Sequence, residues 1–482
     1  MTHLATLLRK LPDFARPARD TTAVAARQTA QPAAATADTR PCEKVKTPSP
    51  FKGTRRPKTG RRTAASAAQP SKAPQVTHTD DTIPAPVQTQ ATAPAALHEG
   101  YRLSIPCPDP TREDRTRDTH QNRALSLVRQ EDWVTLSQLI AEADTARAMT
   151  PGGMSIAELM AFGARADVVM AAEHALLERN PARDAPLMRG IEALEFVLAE
   201  DSDNYIIGCI VAQAHMDMAW AWRGIGWDVE IAPRNREAFD AHFARARDII
   251  ASFNGMPAHS ALLASTSCAL LRGNDCTAQS VADRYEALID LNPANTGPMR
   301  ALGTHMLPRW YGSHNGLELE ARRTAARTQE TWGAGGYTWV MFDAISVDDE
   351  ACARLDLPFF IEGLRDIVTR RPEPHTINLL AAYCANTMGQ AFSGNDAADH
   401  MRAQIAACAD WIVREHLTEL HPMIWAHAAQ GFANNLRVAS PHRFAAAGQD
   451  DALRIIASLF KREIADGKRI VFTDEGPIAR PV

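Results

Sequence analysis

From about Arg117 to the C-terminus, apolar residues return at helical intervals and helix breakers return at short distances. In "NRALSLVRQEDWVTLSQLIAEADTARAM" the residues Leu125, Val128, Trp133, Leu136, Leu139 and Ile140 follow a 3.6-residue period. "DAHFARARDIIASF", "SVADRYEALIDL" and "PFFIEGLRDIVTRR" do the same, and no convincing alternating strand lies between them. Breakers stand at "TPGG", "RNPARDAP", "RGIG", "FNGMP" and "LRGND". Helices of about 12–20 residues joined by short links follow from that spacing, an all-α pattern.

Internal echoes sharpen the expectation. "EALIDLNPANTGPMRALGTHM" lies on "RDIVTRRPEPHTINLLAAYCA" with Pro293 over Pro372. It lies more loosely on "FVLAEDSDNYIIGCIVAQAHM", where Ser202 takes the proline position. The offsets are about twice a helix-pair unit of roughly 40 residues. Each copy ends one helix, turns through Pro, Asp or Asn, and begins another.

Around Pro293 the chain resembles a tetratricopeptide repeat. Val281, Tyr285, Leu288 and Pro293 stand at that repeat's small, aromatic, small and proline positions, and Met299, Leu302, Gly303 and Met306 continue it. The Leu302–Gly303 pair is the most telling, since the resemblance implies that glycine lets two helices pack closely. A broader resemblance spans about residues 122–345. It is to a group of uncharacterised bacterial proteins with a tetratricopeptide-like domain of unknown function. It rests on "EDWVTLSQLIAEA", "TPGGMSIAELM", "AWAWRGIGWDVEIAPRNREAFDAHFARARDII" and "LPRWYGSHNGLELEARRTA". In that group the last piece commonly reads Pro-Arg/Lys-Trp-Gly-Gly-Ser, and here Tyr311 replaces the first glycine. The resemblance implies a fold, a tetratricopeptide-like helix-turn-helix array (an α-solenoid), and no chemistry.

The start of the chain is different. Between Met1 and His78 fifteen Arg and Lys face four acidic residues, although the whole chain has a net charge of -5. Large apolar residues are sparse from Arg16 to Ala96, so this text cannot offset a backbone ordering cost of about 1–2 kcal/mol per residue. Residues 1–100 are therefore expected to be a disordered, basic, Ala/Pro/Thr-rich tail, and residues 101–482 the helical-repeat domain. Leu4, Leu7, Leu8 and Leu11 share a helical face, either a docking helix or a short helix that frays. "FKGTRRPKTGRR" offers Lys52, Arg55, Arg56, Lys58, Arg61 and Arg62 to a phosphate backbone, or serves as a solubilising linker.

Motifs that carry chemistry are scarce. "TWGAGGYTW" lacks a following Lys-Ser/Thr and a preceding strand, so it does not read as a phosphate cradle. Cys408, His416, His421 and His427 are too unevenly spaced for a metal set, which leaves surface or capping histidines. No Gly-x-Ser-x-Gly elbow occurs. The eight cysteines form no Cys-x-x-Cys pair and sit in apolar helical text, which suits reduced thiols in a cytoplasmic protein. No run of about 18 apolar residues is present, so no transmembrane segment is expected.

Two corners invite a binding role. In "LPRWYGS" Pro308 should end a helix, Gly312 supply a positive φ, and Ser313 cap the next helix near His314. In "AWAWRGIGW" Trp220 and Trp222 cannot share a helix face, and Arg223 before Gly224 suits a helix C-terminus. The candidate binding residues are thus Arg223, Arg309 and Trp310. The function expected is a non-catalytic scaffold that holds a protein or peptide, with no cofactor, no metal and no catalytic residues. The alternative is nucleic-acid or anionic-membrane-surface binding by the basic tail, with the helical body regulatory; weak, salt-sensitive polyanion contact would accompany it.

Overall fold

A computed structural model describes residues 96–177, 189–224, 231–253, 259–271, 276–432, 438 and 440–482. The Leu4–Leu11 element and the Lys52–Arg62 basic run lie outside the described residues. The rest is mostly helical, as the periodicity predicts.

The helices in chain order are α1 Arg112–Arg129, α2 Trp133–Thr145, α3 Ile156–Leu177, α4 Arg189–Glu200, α5 Tyr205–Arg223, α6 Pro233–Ala251 and α7 Ala261–Ala269. There follow α8 Ala278–Leu291, α9 Thr296–His305, α10 His314–Arg327, α11 Gln329–Trp332, α12 Gly335–Val347 and α13 Asp349–Ala353. The last are α14 Leu357–Arg370, α15 Pro374–Ala382, which runs into a buried π-helical turn Tyr383–Met388, α16 Asp396–His416, α17 Pro422–Gln430, α18 Pro441–Leu459 and α19 Lys461–Ala465. The three echoed segments each end one helix and begin another, at α4–α5, α8–α9 and α14–α15.

Local chemistry sets the boundaries. Asp132, Asn204, Thr277, Asn295, Asp356 and Asn395 each accept a hydrogen bond from a first-turn amide, the usual answer to a helix start's unpaired N–H groups. Asp348 caps α13, whose first turn holds Asp349 and Glu350, carboxylates that the helix dipole favours there.

The strands correct an expectation. A four-stranded sheet of order β1-β2-β3-β4 joins β1 Ala96–His98 and β2 Leu103–Ile105 to β3 Lys468–Thr473 and β4 Gly476–Pro481. The β2–β3 pair is parallel and the outer pairs are antiparallel. β1 and β2 have three residues each, too few to show alternation, and the six residues of β4, exposed along most of their length, carry no apolar period. The described residues begin with β1 at Ala96. The sheet ties the start of the body to its end: Leu103, Ile105, Ile470 and Phe472 are buried in one core, and Leu420 N–H donates to Pro106 O at 2.8 Å.

Two apolar cores run through the helices. One is built from α1 to α7, around Ile140, Ile210 and Phe243. The other extends from Cys268 to Phe472 and holds Tyr337, Phe342 and Trp425. Several bonds between helices or their corners span about 40 residues of chain. Tyr311 Oη donates to Leu271 O, 40 residues away, and Trp332 Nε1 donates to Pro293 O, 39 away. Arg370 donates to Glu330 O, Tyr383 Oη to Phe342 O and Thr387 Oγ1 to Ala428 O, at separations of 40, 41 and 41.

Candidate functional site

The "LPRWYGS" stretch is a corner between α9 and α10. Trp310 N–H donates to Leu307 O and Tyr311 N–H to His305 O, which closes the turn after α9. Arg309 is exposed; Trp310 is half-buried, packed on the second core and edge-on to His305. Ser313 caps α10 by accepting from Gly316 N–H at 3.1 Å, as expected. Gly312 differs from expectation, since its φ is outside the positive region. It is needed for closeness instead: a Cβ there would stand 2.2 Å from Met306 O.

Arg223 ends α5 as expected, before Gly224 at φ 70°. Its guanidinium lies 5.7 Å from the Trp220 ring centre, and Trp220 packs edge-on against Phe239 and Phe243 of α6. Trp222 faces the other way and is buried, with Arg234 over its ring. Arg223 stands on a helix of the first core and Arg309–Trp310 on the second, so the three named residues do not form one site.

Inside the body, buried charges tie helices together. Arg300 of α9 grips Asp343 of α12 through two bonds of 2.7 and 2.8 Å, with its cation 4.8 Å from the Phe342 ring centre. Arg165 pairs with Asp217 at 2.8 Å, and the buried Arg402 with Asp349 at 2.6 Å and Asp399 at 3.1 Å. Asp144 accepts from Ser260 Oγ and Leu262 N–H. Glu195 is clamped by Arg245 and bonded to His215 Nε2 at 2.8 Å, while His215 Nδ1 meets His242 Nδ1 at 2.9 Å. Burial, then the neighbouring His215, pulls His242 down to about 4, so this pair is neutral at pH 7 and one ring donates to the other.

A further polar group, marked by no sequence motif, lies where the "TPGG" turn meets α1 and α15. Glu113, Arg117, Gln121 and Ala124 fall at helical spacing and are all buried on α1. Glu113 accepts from Thr150 Oγ1 at 2.8 Å and Gly152 N–H at 2.6 Å. A Cβ on Gly152 would sit 2.7 Å from the Glu113 carboxyl and 2.8 Å from the His375 ring, so glycine lets the three meet. His375 is driven to about 3 by burial, then by His421 and Arg117. His421 lies 6.0 Å from it, ring centre to ring centre, and bonds Glu419 through Nε2 at 2.8 Å. The fully buried Asn378 holds this edge together: it donates to Pro374 O and Glu419 O and accepts from His421 N–H and Trp425 Nε1.

His421 and His427 are therefore buried, against the expectation of surface histidines, because α17 packs between α15 and α18. Among the described residues no three His, Cys, Asp or Glu side chains are placed to hold a metal. The described cysteines are all free thiols; burial lifts Cys209 to about 12 and Cys107 to about 11, far above what a neutral-pH nucleophile needs. No described helix is long and apolar enough to cross a membrane. The chain matches no family model, no curated protein and no solved structure.

Proposed function

We propose that the body is a tetratricopeptide-like helical array, closed by its small sheet, that acts as a cytoplasmic, non-catalytic scaffold for a protein or peptide. The observation that carries this reading is the use made of buried charge. The largely buried Arg300–Asp343 and Arg165–Asp217 pairs, and the more exposed Arg402–Asp349 and Arg245–Glu195 pairs, each join one helix to another. Such pairs hold a frame in register, while catalysis asks for titratable groups gathered in a cleft. The recurrence of bonds that span about 40 residues supports the array, because equivalent residues of stacked units contact one another at the repeat length. On such a frame, Arg309 and the exposed part of Trp310 present a cation and an aromatic at a fixed corner, a pairing common in interface hot spots.

Affinity capture from the native cell tests the reading, with the full chain, residues 96–482, and a full-length Arg309→Ala/Trp310→Ala variant as baits. The expected result is that partners stay with residues 96–482 and weaken on the double variant. Partners lost together with residues 1–95 would overturn the scaffold reading in favour of polyanion binding by the tail.

A further inference from the structure

Arginine forks in this chain are filled by carboxylates in a repeated way. Arg129 clamps Asp167, Arg245 clamps Glu195 and Arg300 clamps Asp343, in each case with Nε and Nη2 donating side by side. Two parallel N–H groups match the two oxygens of a planar carboxylate, so the geometry selects that anion. Arg117 carries the same fork and is 2% exposed. Its Nε and Nη2 are buried and have no hydrogen-bond partner among the described residues.

The neighbouring acid does not fill that fork. Glu113, one turn earlier on α1, has both oxygens engaged by Thr150 Oγ1 and Gly152 N–H. One turn later, Gln121 is 7% exposed, and its Nε2 is likewise buried without a partner among the described residues. The same helix thus aligns unpaired donors on two successive turns. Leaving buried donors unmet costs stability at each atom, and a single acceptor with two oxygens relieves several at once. Gly152 and Gly153 of the "TPGG" turn, and His375, are mostly buried but retain some exposure.

We propose that Arg117 and Gln121 form a binding site for a small organic carboxylate, set where the "TPGG" turn packs between α1 and α15. The Nε/Nη2 edge of Arg117 receives the two carboxylate oxygens, and Gln121 Nε2 donates to one of them. The ligand seals a contact between residues 113–152 of the body and His375, far along the chain, so its occupancy stabilises the closed form. The proposal stands apart from the scaffold reading, because it concerns a buried small-molecule site and not the partner surface.

The test is calorimetric titration of the full-length protein with sodium acetate, at constant ionic strength made up with chloride, together with thermal unfolding in the same buffers. Saturable acetate binding and a rising unfolding midpoint are expected. Phosphate in place of acetate should bind more weakly. Arg117→Lys keeps the charge and loses the fork; it should weaken acetate binding at least about tenfold, the scale of a charged hydrogen bond. Gln121→Leu should weaken it several-fold while leaving Arg117 in place. No saturable heat with the unaltered protein would overturn the proposal. So would equal acetate affinity in the two variants and the unaltered protein, or phosphate binding tighter than acetate.

Discussion

Replacing Gly303 with Ala adds one methyl group and should unseat two helices. Gly303 has ordinary helical backbone, so no φ strain enters. A Cβ there would stand 1.8 Å from Val340 O and 2.8 Å from the carbonyl carbon, where ordinary contacts begin near 3.4 Å. The backbone of α12 has no flexible end to swing aside, so α9 and α12 must part by about 1.5 Å. A gap of about half to one ångström already forfeits a quarter to a half of each dispersion contact. The contacts at stake include the fully buried Met299, Leu302, Val340 and Ala344. Overpacking of this kind costs about 1–3 kcal/mol, and the absence of any soft neighbour places Gly303 at the upper end. Against it stands the gain of about 1 kcal/mol when helical Gly becomes Ala. The net expectation is a loss of about 2 kcal/mol for Ala and a larger one for Leu. Urea unfolding followed by circular dichroism measures it, with Gly100→Ala as the control, since nothing lies within 4 Å of that position's Cβ. A Gly303→Ala variant as stable as the parent would refute the reasoning, because the propensity gain would then have met no opposing clash.

Three further outcomes follow from the same geometry. His242 is held near 4, below the 6.5 of an unfolded histidine, so the unfolded chain binds the extra proton; stability present above pH 6.5 should fall as pH drops towards 4, by at most about 3 kcal/mol, and His242→Phe should flatten that slope in urea titrations across the window. Arg300→Met alone should cost about 3–5 kcal/mol by stranding the buried Asp343, while Arg300→Met with Asp343→Leu should recover most of it, as a double-mutant cycle would show. Residues 96–482 alone should match the full chain in helicity and thermal midpoint, because residues 1–95 are too poor in large apolar residues to add a core; a drop of several degrees would argue against that.

The parts of the fold that the sequence displayed are those ruled by short-range chemistry. A capping residue acts within three residues, so the start of α10 at Ser313 was legible in the sequence. Apolar period made α2, α8 and α14 plain. The corner at Pro308 was legible as a corner, but the reason for Gly312 was not, since the atom that excludes a side chain belongs to Met306 and depends on how tightly the turn folds. Gly303 shows the same limit at longer range. The resemblance ties its closeness to a paired helix, whereas the contact is with Val340 of α12, two long helices further on. The polar group at the "TPGG" turn was hidden for another reason. The first twelve residues of α1, "REDRTRDTHQNR", are polar on every side, so their text gives no hint that Glu113, Arg117 and Gln121 face inward.

That polar face lies inward because α3 and the turn before it pack on it, and the chain also closes on itself nearby. In an open stack each unit touches only its neighbours, and end units need a polar outer face of their own. Here β2 pairs in parallel with β3, Pro106 O accepts from Leu420 N–H, and the turn at Gly152 packs on His375. Each of these contacts joins residues far apart in the chain, and the last lies beside Glu113 of the first helix. The first helix, charged as it is, forms an interior wall along Glu113, Arg117 and Gln121. Its acid finds donors in Thr150 and Gly152, while Arg117 keeps an open fork. The same closure couples the two cores, because the strands that carry Leu103 and Ile105 precede α1 in the chain and bury their side chains in the second core. Opening the seam therefore exposes apolar surface and buried charge together, which makes the closed body resist unfolding from its ends as an open array does not.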